Sequence, residues 1–528
     1  MAYHETDGFD RGQGTNGAAA GAPPRHVGIA IVGSGFAGLG TGILLKREGI
    51  HDFAIFERAG DVGGTWRDNS YPGCACDVES HLYSFSFAPN PTWSRSYSPQ
   101  AEIFAYLRRC ADDYGLRPHL RFHHELTGAA WDDERRLWVL ETSAGRYTAD
   151  VLVGGMGAFS EPAIPAVPGL GSFEGKVFHS ARWDHGHDLR GREVAVIGTG
   201  ASAIQFVPEI QREVKKLALF QRTPAWVVPR YEHAIGPAVQ SAYRLAPSLQ
   251  KLSRAIIYLR RELFVVAFRH PTLMRLVERL ALRYLKTCIS DPELRAKLTP
   301  SFRMGCKRIL ISNEYLPALA KENVEVVTDP IREVRARSIV TDDGREHPVD
   351  TIICGTGFRV TEMPFADRIR GRGGRTLAEM WRGSPAAHWG TTVSGFPNLF
   401  LLLGPNTGLG HTSVVFMIES QLELVLGAIR HMRRHGFATV EPRPEEQARF
   451  VAEVDGQMGG TVWTAGGCAS WYIDPTGRNS TLWPGFTFSF RRRCRFRAAE
   501  YLLERRADQD RAQARDAVQA SAVATPGG

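Results

Sequence analysis

Two glycine turns constrain this chain more than anything else in it. "VGIAIVGSGFAGLGTGILLKREG" reads as a short apolar strand, a turn with Gly33-x-Gly35-x-x-Gly38, and a helix. "GREVAVIGTGASAIQFVPEI" repeats the design with Gly198-x-Gly200-x-x-Ala203. In such turns the first glycine permits the sharp bend and the second lets backbone approach a pyrophosphate. The third position must be small so that helix packs on strand. Ala203 keeps that property in the second copy. The phosphates then face the N-terminus of a helix. One such turn is weak evidence; two, each set between a strand and a helix, predict two dinucleotide-binding units.

The residues after each unit separate the two sites. The strand "DFAIFER" follows the first turn and ends at Glu57. An acid there accepts the hydroxyls of an adenosine ribose and repels a 2'-phosphate, so this site reads as one for FAD or NAD. The loop "GDVGGTWRDNSYPGCACD" follows, where Gly63 and Gly64 allow close backbone approach and Trp66 offers a flat apolar face. Such a loop suits a long flavin tail and ring, which makes Thr65 and Trp66 candidate cofactor contacts. Pro72-Gly73 signals a turn, and Asp77 follows it. A capping or turn role for Asp77 fits that spacing equally well.

After the second unit the strand "KLALF" leads into "QRTPAW". No acid stands where Glu57 stood; Gln221, Arg222 and Thr223 do. A guanidinium and a hydroxyl suit a 2'-phosphate, so the second site reads as one for NADPH. Its candidate contacts are Gly198, Thr199, Gly200, Ala201, Ser202, Gln205, Arg222 and Thr223. Two cofactors in one chain imply hydride transfer from one to the other. No Cys-x-x-Cys is present to take the electrons onward as a disulfide reductase would.

Composition excludes other classes. At 43% hydrophobic and 23% charged the chain is ordinary globular protein, and its net charge of +8 is spread out apart from "FRRRCRFR" and an Arg-rich central stretch. That pattern argues against a nucleic-acid surface and suits attraction of anionic cofactors. Eight cysteines without paired spacing predict no metal site, and a reduced, cytoplasmic protein. The first 25 residues have no apolar core and read as a tail. No uncharged run reaches the roughly 18 residues of a membrane span.

Between the two turns lies "FEGKVFHSARW", a Phe173-x-Gly175-x-x-x-His179-x-x-x-Trp183 pattern. A single His with no partner ligand cannot hold zinc. With "GGTWRDNSYPGCACD", "GTGASAIQ", "QRTPAW", "LRAKLTPSFRMGCKRIL", "GTGF", "GPNTG" and "SWYIDPTGRNSTLWPG", the pattern resembles the type I Baeyer–Villiger monooxygenases over about residues 28 to 490. The resemblance implies an NADPH- and O2-dependent FAD enzyme. Such an enzyme inserts oxygen beside a ketone carbonyl through a flavin C4a-peroxide, giving an ester or lactone. It makes the His-Trp segment a linker between the nucleotide units, and not a chemical centre. It places Lys307 near the NADP 2'-phosphate and Arg308 over the flavin, with Asp77 contacting Arg308. Tyr83 then belongs to the flavin site, and Trp471 contacts the nicotinamide ribose. One departure is Ala75, where some relatives carry Arg. The related N- and S-oxygenating flavin monooxygenases remain an alternative, and a non-catalytic NADPH-binding flavoprotein a more distant one.

The expected architecture is α/β, with two Rossmann-like dinucleotide-binding domains and a helical insertion in the NADP domain. A tail spans 1–25. The FAD domain spans 26–160 and returns at 390–507, and the NADP domain spans 161–223 and 335–389. The insertion spans 224–334, and a frayed tail spans 508–528. The insertion is apolar at helical spacing with basic residues between, a pattern compatible with a membrane-surface helix. The resemblance instead makes it a subdomain packed near the active site. A ketone and O2 are the expected partners; nucleic acid and a transmembrane segment are not. The oligomeric state stays open, a monomer being compatible with the chain.

Overall fold

The computed structural model of the chain describes residues 23–360 and 363–505. The tail expected at 508–528 and residues 1–22 of that expected at 1–25 lie outside the described residues; Arg25 already opens the first strand.

Strand Arg25–Val32 forms the middle of the first sheet. It pairs in parallel with Phe53–Phe56 on one side and with Gly145–Gly154 on the other. Its last four residues are buried, as befits a parallel strand covered on both faces. The sheet continues through Phe53–Phe56 to Leu120–Arg121. On the other side Gly145–Gly154 continues antiparallel through Leu137–Thr142 and Leu126–Asp132. Leu399–Leu401 pairs in parallel with the far end of Gly145–Gly154, which brings the C-terminal region back to this unit. Helix Val414–His435 then packs on helix Phe36–Arg47. Its limits follow from local chemistry: the Ser413 side chain accepts from the Val415 amide at 3.2 Å, and Gly436 takes φ +70° just past the end.

The return begins earlier than the expected residue 390. Ile369–Arg370 pairs with Ala129–Ala130 of the first sheet, and Leu377 and Trp381 join that sheet's core beside Val32 and Trp138. A two-residue strand between arginines carries too little apolar pattern to betray which sheet it joins.

The second sheet has five parallel strands in the order Val324–Val327, Lys216–Phe220, Glu193–Ile197, Thr351–Cys354, Lys176–His179. The His179 segment is therefore an edge strand of this unit. Trp183 packs between Phe178 and Phe206, with ring centroids at 5.2 and 5.3 Å, and Phe206 reaches Tyr71 of the first unit. That aromatic chain joins the two units. His179 is buried, and burial pushes its pKa down to about 4, so the ring is neutral near pH 7.

Between Phe220 and Val324 the chain runs mostly through helices, chief among them Pro247–Glu262 and Pro271–Cys288. No helix among the described residues is long and apolar enough to cross a membrane.

Candidate active site

The two glycine turns are built alike. A Cβ on Gly33 would sit 2.5 Å from the Gly155 carbonyl oxygen, and one on Gly198 would sit 2.5 Å from that of Gly355. Both glycines have φ near +100°, a region that favours glycine. A Cβ on Gly38 would lie 1.8 Å from the Gly33 oxygen, so the third position closes helix onto turn. Gly35 differs: its Cβ would meet nothing nearer than the Gly64 Cα at 3.8 Å. The fingerprint turn and the Gly63–Gly64 loop touch: a Cβ on Gly64 would come within 3.2 Å of the Gly35 Cα, and the Gly63 amide bonds to the Ser34 carbonyl at 2.9 Å. Without side chains, both segments present bare backbone to the first cavity, as a pyrophosphate requires.

Glu57 is buried at the end of its strand. Its Oε2 accepts from the Ser34 amide at 3.0 Å and from the Ser34 hydroxyl at 2.7 Å. Its Oε1 accepts from the Ala59 amide at 3.0 Å and faces Arg67 at 3.1 Å. The carboxylate is thereby fixed over the first turn. A cavity of ≈ 290 Å³ runs from Glu57 past Gly35, Gly64 and Trp66 to Arg308.

The second cavity, ≈ 980 Å³, is lined by the turn from Gly198 to Ser202, by Arg222 and Thr223, and by Lys307. The Thr199 hydroxyl bonds to the Thr223 carbonyl at 3.2 Å and ties the turn to the strand end. Burial and the facing Arg222 charge hold the Lys307 ammonium below its usual pKa. No carboxylate among the described residues pairs with Arg222 or Lys307 within 4 Å. Two cations that line the same space without being paired to a carboxylate fit an anion such as a 2'-phosphate. Gln205 lines this cavity, but its polar atoms are engaged by protein. Its Oε1 accepts from the Tyr71 hydroxyl at 3.1 Å, and its Nε2 donates to the Ala75 carbonyl at 2.9 Å. It clamps the Cys74–Cys76 loop to the second unit and is not left free for a nucleotide.

The two cavities share a wall made by Thr65, Trp66, Tyr83, Phe159, Arg308 and Trp471, among others. Trp66 Nε1 donates to the Tyr83 hydroxyl at 3.2 Å, and Trp471 stays partly exposed with its ring beside Phe159. Arg308 Nε donates to Asp77 Oδ2 at 2.7 Å, its Nη2 lies 2.6 Å from the same oxygen, and its Nη1 reaches the Leu409 carbonyl at 3.4 Å. The Asp77 charge holds the guanidinium pKa above its usual value. Burial alone would raise the Asp77 carboxyl, but Arg308, helped by Arg261, holds it below its ordinary range. The pair is thus ionised on both sides. Lys307 and Arg308, adjacent in sequence, serve different spaces: Lys307 lines the second cavity alone and Arg308 lines both.

Sequence reasoning missed three features here. Arg261, at the end of helix Pro247–Glu262, donates to Glu79 Oε2 at 2.7 Å and to the Asp77 carbonyl at 3.1 Å. In sequence it is one of several basic residues in a helical stretch. Tyr472 is buried with no hydrogen-bond partner for its hydroxyl among the described residues, and burial raises its pKa to about 12 beside the Arg308 charge. Cys306 and Cys468 are joined by a disulfide, Cα to Cα 6.2 Å, across 162 positions. The expectation of wholly reduced thiols therefore fails at this pair. Its members flank the Lys307–Arg308 and Trp471 segments, which a spacing count could not bring together.

A chain with an acid-terminated dinucleotide cradle, a basic one, and a shared wall holding a clamped guanidinium is a flavoprotein oxidoreductase fed by a second nucleotide. Residues 30–251 match the family model described as pyridine nucleotide-disulphide oxidoreductase. The chain is 55% identical over 472 residues to a Baeyer-Villiger monooxygenase of Streptomyces coelicolor, covering 89% of this chain and 91% of that one. Its structure resembles the closed crystal structure of cyclohexanone monooxygenase, with TM-score 0.83 and 30% identity over 92% of this chain and 100% of that one. It also resembles OTEMO in complex with FAD and NADP, with TM-score 0.83 and 26% identity over 91% of this chain and 100% of the other. The chain belongs to the Baeyer-Villiger monooxygenase family.

Proposed function

We propose that the chain converts a ketone, O2 and NADPH with one proton into an ester or lactone, NADP+ and water, with Arg308 and Asp77 as its central charge pair. When bound, the flavin supplies the electron and oxygen chemistry. Glu57, Gly33, Gly35 and Gly38 hold its adenosine and pyrophosphate, with Thr65, Trp66 and Tyr83 beside the ring. Arg222, Thr223 and Lys307 select the 2'-phosphate of NADPH. Trp471 closes the nicotinamide end. Negative charge must develop on the ketone oxygen as oxygen is inserted, and a fixed cation lowers that barrier. A guanidinium keeps its proton in an enclosed site, and Asp77 orients it.

The observation that carries this reading is that Arg308, clamped by Asp77, walls both cavities at once. NADPH and O2 as co-reactants suit the cytoplasm, and we place the enzyme there. The test is a panel of cyclic and linear ketones, with NADPH and O2 consumption measured beside product mass. One ester formed per NADPH and O2 supports the reading. Oxygenation of thioethers and amines with no ketone turned over would replace it with N- or S-oxygenation.

A further inference from the structure

Helix Pro247–Glu262 and the short helix Phe264–Arg269 that continues it are turned inside out. Leu249, Leu252, Ile256, Leu259 and Leu263 follow one another at alternating steps of three and four, so they share one face. Exposure along that face rises from 47% at Leu249 to 69% at Leu263. The opposite face docks through polar groups. Gln250 donates to the Asn90 carbonyl at 2.7 Å and Arg254 to the His81 carbonyl at 2.7 Å. Glu262 accepts from the Thr487 amide at 2.8 Å and faces His411 at 3.3 Å. A surface helix ordinarily buries its leucines; this one exposes them, with Lys251 and Arg260 also exposed. Helix Pro271–Cys288 also exposes Leu273, Leu276 and Leu280, while its inward face buries Met274, Ala281 and Leu285 with Glu278 against Arg303.

The charges say what covers the leucines. Between residues 237 and 290 the only acids are Glu262 and Glu278, and both are buried. The exposed charges beside the leucines are all basic, among them Arg244, Lys251, Arg269, Arg275, Arg279 and Lys286. Two copies meeting through this face would set one acid-free basic rim against another, which opposes association. A leucine face flanked by Lys and Arg, on helices too polar overall to span, matches a helix lying in a lipid interface. We infer that helices 247–269 and 271–288 dock this enzyme on an anionic bilayer surface, leucines in the acyl boundary and basic residues among the headgroups.

Flotation of the full-chain FAD-loaded protein tests this. The probes are vesicles of phosphatidylcholine and phosphatidylglycerol in equal parts and vesicles of phosphatidylcholine alone. The wild type is expected to float with the anionic vesicles, and at least about tenfold less with the neutral ones or in high salt. Leu252→Glu with Ile256→Glu, and separately Arg275→Glu with Arg279→Glu, should each cut binding at least about tenfold. Because these side chains are exposed, both variants should keep the wild-type melting temperature and NADPH oxidation. No flotation of the wild type overturns the proposal. So does a dimer that Leu252→Glu with Ile256→Glu dissociates, since a second copy would then cover the leucines. Binding to polyglutamate as tight as to anionic vesicles, and unchanged by the leucine substitutions, overturns it as well, because an acidic protein would then be the partner.

Discussion

Arg308 and Asp77 stand 231 positions apart in sequence and meet at 2.6–2.7 Å, with one carboxylate oxygen taking two guanidinium nitrogens. The contact joins a segment of the expected insertion, 224–334, to the loop after the first glycine turn. Arg308 stands in the wall that the two cavities share, and Asp77 lines the second.

Asp77→Asn should leave the flavin bound and cut ketone oxygenation by about ten- to a hundredfold, because Arg308 loses the charge-assisted bond that fixes its plane. The pH dependence follows from the shifts. The Asp77 carboxyl is depressed, so the pair is complete above the ordinary carboxylate range and is lost only as pH falls through the lowered value. The Arg308 pKa is raised, so no loss occurs on the alkaline side. The pair should therefore contribute no pH dependence to product yield between about pH 5 and 9. Ester yield measured across that range checks it; a fall centred near pH 7 that Asp77→Asn removes would contradict it.

Cofactor choice should rest on Arg222 and Lys307. Each charged contact to a 2'-phosphate is worth roughly 1.5–3 kcal/mol when well made, or about ten- to a hundredfold. Arg222→Ala and Lys307→Ala should each raise the KM for NADPH by that factor and leave the KM for NADH nearly unchanged. Steady-state kinetics with both nucleotides decide it. Equal use of NADH and NADPH by the wild type would remove the assignment.

Gly35→Val and Gly38→Val should fail differently. The Gly38 Cβ would collide with the Gly33 oxygen, so that variant should lose folded protein. The Gly35 Cβ would make only van der Waals contact, with the Gly64 Cα at 3.8 Å, so that variant should fold, stay colourless and bind NADPH. Circular dichroism beside the flavin absorbance of the purified proteins separates the two outcomes.

Breaking the Cys306–Cys468 bond by Cys468→Ser should lower thermal stability, since the bond closes a 162-residue separation. Loop-closure entropy puts the loss on the order of 3–5 kcal/mol. Trp471 and Lys307, each within a few residues of the bond, should also hold NADPH less well. Melting curves with and without reductant, and the KM for NADPH, test both parts. An unchanged melting temperature in reductant would show that the bond carries no stability.

The glycine turns, Glu57, and the contrast between Glu57 and Arg222 were legible because a dinucleotide cradle is a local device. Its strand, turn and helix are contiguous, and each glycine answers a contact within that unit or one strand away. The Asp77–Arg308 contact came from family resemblance alone, since nothing local ties a loop to a segment 231 positions later. Cys306–Cys468, Arg261 and the return of residues 369–381 to the first sheet were missed for the same reason. Each is a meeting of distant segments whose local sequence carries no pairing signal. Helix 247–262 shows another limit. Its period is plain in the sequence, but period says only that the leucines share a face, and here that face points outward because Gln250, Arg254 and Glu262 bond inward.

The central claim is that Arg308 supplies the charge for oxygen insertion and does not hold the flavin. Arg308→Ala should keep its yellow colour, because Glu57 and the glycine turn hold the nucleotide end. Loss of one fixed donor to a developing oxyanion costs on the order of 3–4 kcal/mol, so ketone oxygenation should fall at least about a hundredfold. Residual NADPH consumption should appear as hydrogen peroxide. Arg308→Lys should rescue little, because an ammonium lacks the fork that Asp77 clamps. The measurement is ester formed per NADPH consumed, with hydrogen peroxide assayed in the same vessel. The account predicts a ratio near zero with peroxide nearly matching NADPH; ester formed at close to the wild-type rate and ratio would contradict it.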